Sequence, residues 1–81
     1  MKLTMPTAIV ETHFLEPTDH KPSRVVARHV NTGQREIMSW DYEYDTFHNH
    51  RLAAMMILGP DIQYYSSRLN GGYVFVKGEQ S

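Results

Sequence analysis

Histidines are the first residues that could do chemistry, because five occur among 81 residues and imidazole is a common metal ligand and general base. His48 and His50 lie two positions apart on a predicted helix, about 200° around its axis, so they cannot chelate one ion as an i, i+4 pair does. The others, His13, His20 and His29, fall on separate segments without a carboxylate at a recognised ligand spacing. We therefore expect no metal or cofactor, surface histidines and a half-buried His50.

The carboxylates of Asp41, Glu43 and Asp45 alternate along the chain and could share one face of a strand. Paired carboxylates serve glycoside hydrolysis, but that reaction also needs a long sugar cleft, and 81 residues leave little depth for one. The chain has no cysteine and no serine-hydrolase, zinc-peptidase or phosphate-loop motif. These features predict a protein without enzymatic activity.

Charge is divided between two neighbouring segments. Residues 20–35 contain four Lys or Arg and no acid, whereas residues 36–45 contain four acids and no Lys or Arg. In one interpretation, cross-strand pairs such as Arg24 with Asp41 and His29 with Glu36 neutralise each other.

In the other interpretation, the basic segment binds a phosphate or an acidic partner. The candidate anion- or partner-binding residues are Thr18, Lys21, Ser23, Arg24, Arg28 and Arg51. The balance of the whole chain, eight Lys and Arg against nine Asp and Glu, excludes the general basicity of a nucleic-acid coat.

Tyrosines are the second candidate for an interface, because they bury a large area and keep a polar tip. The candidate aromatic interface consists of Tyr42, Tyr44, Tyr64, Tyr65 and Tyr73. Packing at the rim of a small core explains them equally well. Residues 73–76 could also form an exposed edge strand that pairs two copies into a homodimer.

Strands that would carry these residues follow from β-branched and aromatic runs at 8–15, 23–30, 35–42 and 73–77. The turn at residues 31–34 predicts a hairpin in which Val25 faces Trp40 and Ala27 faces Met38. Residues 62–65 form either a further short strand or an irregular segment.

A helix is predicted between these strands. Asp45 or Thr46 can cap it, the apolar residues recur at helical spacing to Leu58, and Gly59-Pro60 ends it. The sequence therefore predicts an α+β fold, a three- or four-stranded antiparallel sheet with one helix packed on one face, in the order βββα(β)β. Residues 1–81 form a single domain, ordered over about 7–77 with a loose tail at 78–81. The N-terminus has no secretory apolar run, and no stretch has the roughly 20 apolar residues of a membrane span, so we expect the protein in the cytoplasm.

Three segments together carry a resemblance to a known family. They are Thr12-His13-Phe14-Leu15-Glu16-Pro17-Thr18 with Lys21, Ser23-Arg24-Val25 and Ala27; Asn49-His50-Arg51 with Ala53-Ala54; and Gly72-Tyr73-Val74-Phe75-Val76. The combination resembles a family of small uncharacterised proteins of bacteriophages, prophages and plasmids. The resemblance implies a phage or mobile-element product in a bacterial cytoplasm.

Two functional hypotheses follow. The first is a non-enzymatic accessory protein that binds a host or defence protein. The alternative is a protein that binds nucleic acid, a nucleotide or phosphate through the loop 18–24 and the basic strand 24–28. The Asn49-His50-Arg51 motif is interpreted as a structural lock between the helix start and the loop from Thr18 to Arg24, or as part of a shared ligand site.

Overall fold

An antiparallel sheet of five strands and a single α-helix make up the part of the chain that the computed structural model describes, residues 6–68 and 70–78. In chain order the elements are β1 (Pro6–Leu15), β2 (Arg24–His29), β3 (Arg35–Ser39), α1 (Thr46–Leu58), β4 (Tyr64–Ser67) and β5 (Tyr73–Gly78). The strands lie in the order β3-β2-β1-β5-β4, and each neighbouring pair is antiparallel. The predicted α+β class with one helix and an antiparallel sheet is confirmed.

The sheet exceeds the predicted three or four strands because residues 64–67 pair with β5, with Tyr65 opposite Phe75. The sequence left residues 62–65 open between a strand and an irregular stretch, and the observed strand begins two residues later, at Tyr64. β5 therefore lies inside the sheet, between β1 and β4, and the exposed edge predicted at residues 73–76 is wrong. Since the outer edges of the sheet belong to β3 and β4, a homodimer through an edge strand would have to use one of those two.

The hairpin of β2 and β3 keeps the predicted faces but is shifted by two positions. Val25 lies opposite Met38 rather than Trp40, and Ala27 lies opposite Glu36 rather than Met38. Because side chains alternate between the faces of a strand, a shift of two residues leaves the same side chains toward the core.

His29 explains this shift. The ring nitrogen Nδ1 of His29 accepts hydrogen bonds from the backbone N–H groups of Asn31 at 3.2 Å and Thr32 at 3.3 Å. The backbone N–H of His29 donates to the backbone carbonyl of Gln34 at 2.8 Å. Gly33 closes the loop with a φ of 79°, a conformation that strains other residues. Residues 30–33 thus form the loop of the hairpin, rather than the predicted turn at 31–34.

The helix begins and ends where the sequence predicts. Asp45 caps its N-terminus, because Oδ1 accepts a hydrogen bond from the backbone N–H of His48 at 2.7 Å. Gly59 follows Leu58 at the other end, and its N–H donates to the carbonyl of Met55 at 2.8 Å.

One face of α1 packs on the sheet and closes the core. The buried apolar side chains of this core are those of Val10, Val25, Ala27, Ala53, Ala54, Leu58 and Phe75. Two polar helix residues, Asn49 and His50, are buried with them. His50 has no exposed surface at all, 0%, so the prediction of a half-buried side chain underestimates its burial.

The side of the sheet away from α1, which we call the open face, is covered by no described helix or strand. Neighbours in register share a face, and alternation then fixes its members. They are Ile9, Glu11, His13 and Leu15 on β1, Arg24, Val26 and Arg28 on β2, Arg35, Ile37 and Ser39 on β3, Tyr64 and Ser66 on β4, and Val74 and Val76 on β5.

The predicted loose tail at 78–81 lies outside the described residues, except that Gly78 ends β5. Within the described ranges, no helix has the length and apolar character needed to cross a membrane.

Candidate functional site

A polar cluster lies in the core, where α1 crosses the central strand. Thr12 Oγ1 on β1 is 2.7 Å from His50 Nδ1 on α1, and it also donates a hydrogen bond to the backbone carbonyl of Tyr73 on β5 at 3.4 Å. The imidazole lies against the rings of Tyr73 and Trp40, with centroids 4.9 and 5.8 Å away. His50 therefore joins three elements of the fold.

The hydrogen bond from Thr12 to Tyr73 favours one tautomer of the His50 imidazole. A hydroxyl has one hydrogen, so Thr12 can donate to Tyr73 only if it accepts from Nδ1–H of His50. Nε2 of His50 is then the unprotonated nitrogen, and it is buried without a hydrogen-bond partner among the described residues. Burial lowers the pKa of His50 below its ordinary 6.5, and the nearby charge of His13 lowers it further. The side chain is thus a neutral part of the core, away from solvent.

Asn49 holds the chain that enters the helix. Its Oδ1 accepts from the backbone N–H of Asp41 at 2.8 Å, and its Nδ2 donates to the carbonyls of Asp41, Tyr44 and Asp45 at 2.9, 3.3 and 3.0 Å. These bonds tie the backbone of the loop 41–45 to the first turn of the helix, in addition to the backbone bonds from Tyr44 N to Asp41 O and from Asn49 N to Asp45 O. They also explain why β3 ends at Ser39 and why residues 41, 43 and 45 lie in a loop. The strand face of three carboxylates is therefore not formed.

The three segments of the family resemblance meet at His50. Thr12, His50 and Tyr73 are in contact, one from each segment. No described hydrogen bond of the Asn49-His50-Arg51 motif reaches the loop from Thr18 to Arg24, as the predicted lock requires; Asn49 and His50 hold the loop 41–45 and β1 instead. Arg51 lies apart from both, because its guanidinium donates to Met55 Sδ at 3.2 Å.

The loop after β1 uses its polar groups internally. Thr18 Oγ1 accepts from the backbone N–H groups of His20 at 3.4 Å and Lys21 at 3.1 Å. Ser23 is buried, and its Oγ accepts from the hydroxyl of Tyr42 at 3.1 Å. Lys21 is exposed, and Arg24 Nε donates to the backbone carbonyl of Pro22 in this loop at 3.2 Å.

Arginines gather on the open face instead. The predicted candidates Arg24 and Arg28 lie on it, Arg35 joins them from the neighbouring strand β3, and Arg68, just after β4, reaches Glu11 on the same face. Glu11 is the single described carboxylate on this face.

Glu11 is shared by several cations. Its carboxylate lies 3.4 Å from Arg28, 3.0 Å from Arg68 and 3.9 Å from His13. Sequence reasoning missed Glu11 and Arg68. The signal for Arg68 was the two-residue alternation from Tyr64 through Ser66, which places it on the same face once β4 is accepted as a strand.

The predicted neutralisation of the hairpin is wrong. Arg24 lies opposite Ser39 instead of Asp41, and Arg28 lies opposite Arg35. Glu36, the predicted partner of His29, lies opposite Ala27 on the core side. No ion pair joins these acids to the arginines within the described residues.

The five candidate tyrosines do not form one surface. Tyr64 lies on the open face, whereas Tyr65 and Tyr73 pack around Phe47 on the helix side. Tyr44 stacks on His48 with ring centroids 4.5 Å apart, and Tyr42 is 79% exposed.

A surface hollow of about 550 Å³ lies beside the loop that follows β3, lined by Ser39, Trp40, Asp41, Tyr42 and Glu43. Its polar groups are partly occupied: Asp41 Oδ1 accepts from the N–H of Glu43 at 2.9 Å, and Tyr42 donates to Ser23. Over the described part of the chain, no group of three His, Asp or Glu side chains could hold a metal ion.

No family model matches this chain, and neither the curated proteins nor the solved structures include a match.

Proposed function

We propose that this chain is a non-enzymatic binding protein that docks the open face of its sheet on an acidic protein surface. One observation carries the proposal. The open face has four arginines and one described carboxylate over an aliphatic floor, and no described element covers it. Arginine is enriched where proteins meet, because its planar guanidinium binds carboxylates through paired hydrogen bonds.

The floor of the open face supports a protein partner. Val26 at its centre is 6% exposed, while Ile37 beside it is 47% exposed. An apolar centre surrounded by polar groups is the usual anatomy of a protein interface.

Nucleic acid is the alternative, since Arg24 and Arg28 of the predicted basic strand lie on this face, one on each side of Val26. Sheet-face binders of single strands stack bases on aromatic side chains. The central strands β1 and β5 present no Phe, Tyr or Trp to the open face, only the imidazole of His13, and Glu11 there would repel a phosphate. These features favour the protein partner.

The setting that we propose comes from the family resemblance: a phage or mobile-element accessory protein that binds a host or defence protein in a bacterial cytoplasm. The absence of an enzymatic role is part of the proposal. The burial of His50 supports this part of the proposal. Its imidazole is the group in the core that could act as a general base, but it has no exposed surface for a substrate to contact.

Position-specific crosslinking tests this function. A photo-crosslinking amino acid at position 37 of the open face is compared in host lysate with one at position 56, where Met56 is exposed on the helix side. We expect position 37 alone to capture one stoichiometric protein, with less capture at high salt or after Arg28→Gln and Arg35→Gln. Equal capture from both positions, or no capture in several hosts, would refute the proposal.

Gel shifts on single- and double-stranded oligonucleotides at several salt concentrations, with nucleotide thermal shifts in parallel, test the alternative. Salt-dependent gel shifts that weaken in the Arg24→Ala variant would show that the partner is nucleic acid and not a protein.

A further inference from the structure

We propose that Arg28 and Arg35 form the anchor of the open face and hold an Asp or Glu side chain of the partner between them. This inference rests on the proposed function and names its recognition chemistry. The partner segment carries an acidic residue next to an aliphatic one.

The two arginines are direct cross-strand neighbours with like charge. Arg28 on β2 lies opposite Arg35 on β3, and both side chains are on the open face. The bonds from His29 N to Gln34 O and from Trp40 N to Ser23 O mark the hydrogen-bonded positions of this ladder. Arg28 and Arg35 therefore occupy a non-hydrogen-bonded pair, where the Cα atoms are only about 4.5 Å apart.

Such a pair is unfavourable in the free protein, because like charges directly opposite destabilise a sheet. Glu11 offsets part of the charge of Arg28 from the far side, at 3.4 Å, and it also binds Arg68 at 3.0 Å. Arg35 has no described carboxylate within ion-pair distance.

The row of charges across the sheet indicates which charge a partner would add. From the β3 edge inward it reads Arg35, Arg28, Glu11, with Arg68 beyond, so signs alternate everywhere except between the first two. A carboxylate from a partner, placed between Arg28 and Arg35, completes the alternation. Two guanidiniums can each donate to one of its oxygens.

An apolar contact lies next to this position. Ile37 follows Arg35 by two residues on the same face and packs beside Val26. Its side chain is 47% exposed, so an aliphatic side chain next to the partner's acid can bury it. A phosphate would use the arginines but gain nothing from Ile37.

The test uses isotope-labelled protein and a defined probe, the capped peptide Glu-Glu-Leu-Glu-Glu, with Gln-Gln-Leu-Gln-Gln as its matched control. We expect the acidic peptide to shift the Nε–Hε signals of Arg28 and Arg35 and the methyl signals of Ile37. Arg35→Gln or Arg28→Gln should weaken binding about tenfold. Lys21→Gln, an exposed cation of the loop 16–23, should change it by less than about twofold. Arg35 is exposed on an edge strand, so its replacement leaves the core intact.

Failure of the anchor and failure of the function give different results. If Arg24→Gln or Arg68→Gln weakens peptide binding while Arg28→Gln and Arg35→Gln do not, the anchor is wrong and the open face remains the docking surface. If neither peptide perturbs the open face, both the anchor and the proposed function are overturned. Tighter binding of an oligothymidine than of the acidic peptide at the same arginines would also overturn both, in favour of nucleic acid.

Discussion

Thr12 Oγ1 and His50 Nδ1 lie 2.7 Å apart in the core, and this one contact joins the central strand to the helix. Thr12→Val removes the hydroxyl while keeping the shape of the side chain. His50 then has two buried nitrogens without a partner, and we expect the free energy of unfolding to fall by about 1–3 kcal/mol. Urea denaturation measures the loss.

A double-mutant cycle isolates the bond from the packing around it. Thr12→Val combined with His50→Leu removes both polar partners, so the double variant should lose less stability than the two single variants added together. Strict additivity would show that the contact contributes nothing to stability.

Acid should destabilise the protein through His50. Because burial, with the charge of His13, lowers its pKa in the folded state below the ordinary 6.5, the unfolded chain binds the proton more readily. Stability from this group is complete above about pH 6.5 and falls as the pH drops toward the folded-state pKa. Urea denaturation between pH 8 and about pH 5 measures the decline.

Two variants identify the group responsible for this decline. The double variant of Thr12→Val with His50→Leu should have a flatter stability profile over the same pH range. His20→Gln, in an exposed loop, should retain the slope of the wild type. Parallel profiles for wild type and double variant would assign the acid sensitivity to another group.

Asn49→Ala should release the loop that enters the helix. The change removes an acceptor for the N–H of Asp41 and the donors to three carbonyls, and we expect a loss of about 2–3 kcal/mol. Asp45→Ala removes only the helix cap and should cost about 1 kcal/mol. Glu43→Ala, exposed in the same loop, should stay within about 0.5 kcal/mol. Equal losses for Asn49→Ala and Glu43→Ala would show that the loop does not depend on Asn49.

The helix could be predicted because its signals are local: a cap at Asp45, apolar residues at helical spacing and the stop at Gly59-Pro60. The hairpin register could not be predicted in the same way. It depends on the ring of His29, which accepts hydrogen bonds from two backbone N–H groups of the loop. The amino-acid sequence does not show that this side chain hydrogen-bonds to the backbone two and three residues later. β4 was uncertain because all four of its residues are exposed, so it lacks the alternation that marks a half-buried strand.

Only those residues of the candidate site that are close in sequence could be predicted. Arg24 and Arg28 stand out in a segment without acids, and the structure places both on the open face of β2. Glu11 and Arg68 are 57 positions apart in the sequence. They meet because β4 pairs with β5 and β5 pairs with β1, which brings the residue after β4 within reach of the open face of β1. Strand order depends on which faces bury together, so no local pattern pairs these two residues.

Reversing one charge should stabilise the free protein. Arg35→Glu replaces the like-charged pair with Arg28 by an opposite pair, and we expect a gain of about 0.2–1 kcal/mol, smaller at about 1 M salt. Arg35→Gln removes the repulsion alone and should gain less. Urea denaturation at low and high salt checks both variants. A loss of stability in Arg35→Glu would show that the two guanidiniums do not repel each other across the hairpin.

Gly72→Ala should strain the centre of the sheet. A Cβ at this position would collide with the backbone carbonyl of Thr12 and lie 3.3 Å from His13 Nδ1. Because Thr12 belongs to the central strand, its carbonyl cannot yield without disturbing the contact with His50. We expect a loss of about 2–3 kcal/mol and faster hydrogen exchange of the amides around Thr12. Gly33→Ala is the control: its φ of 79° strains alanine, but a Cβ there meets nothing within 4 Å, so it should cost about 1–2 kcal/mol with exchange near Thr12 unchanged. If the two variants behaved alike in both measurements, β5 would not need a glycine for its close approach to β1.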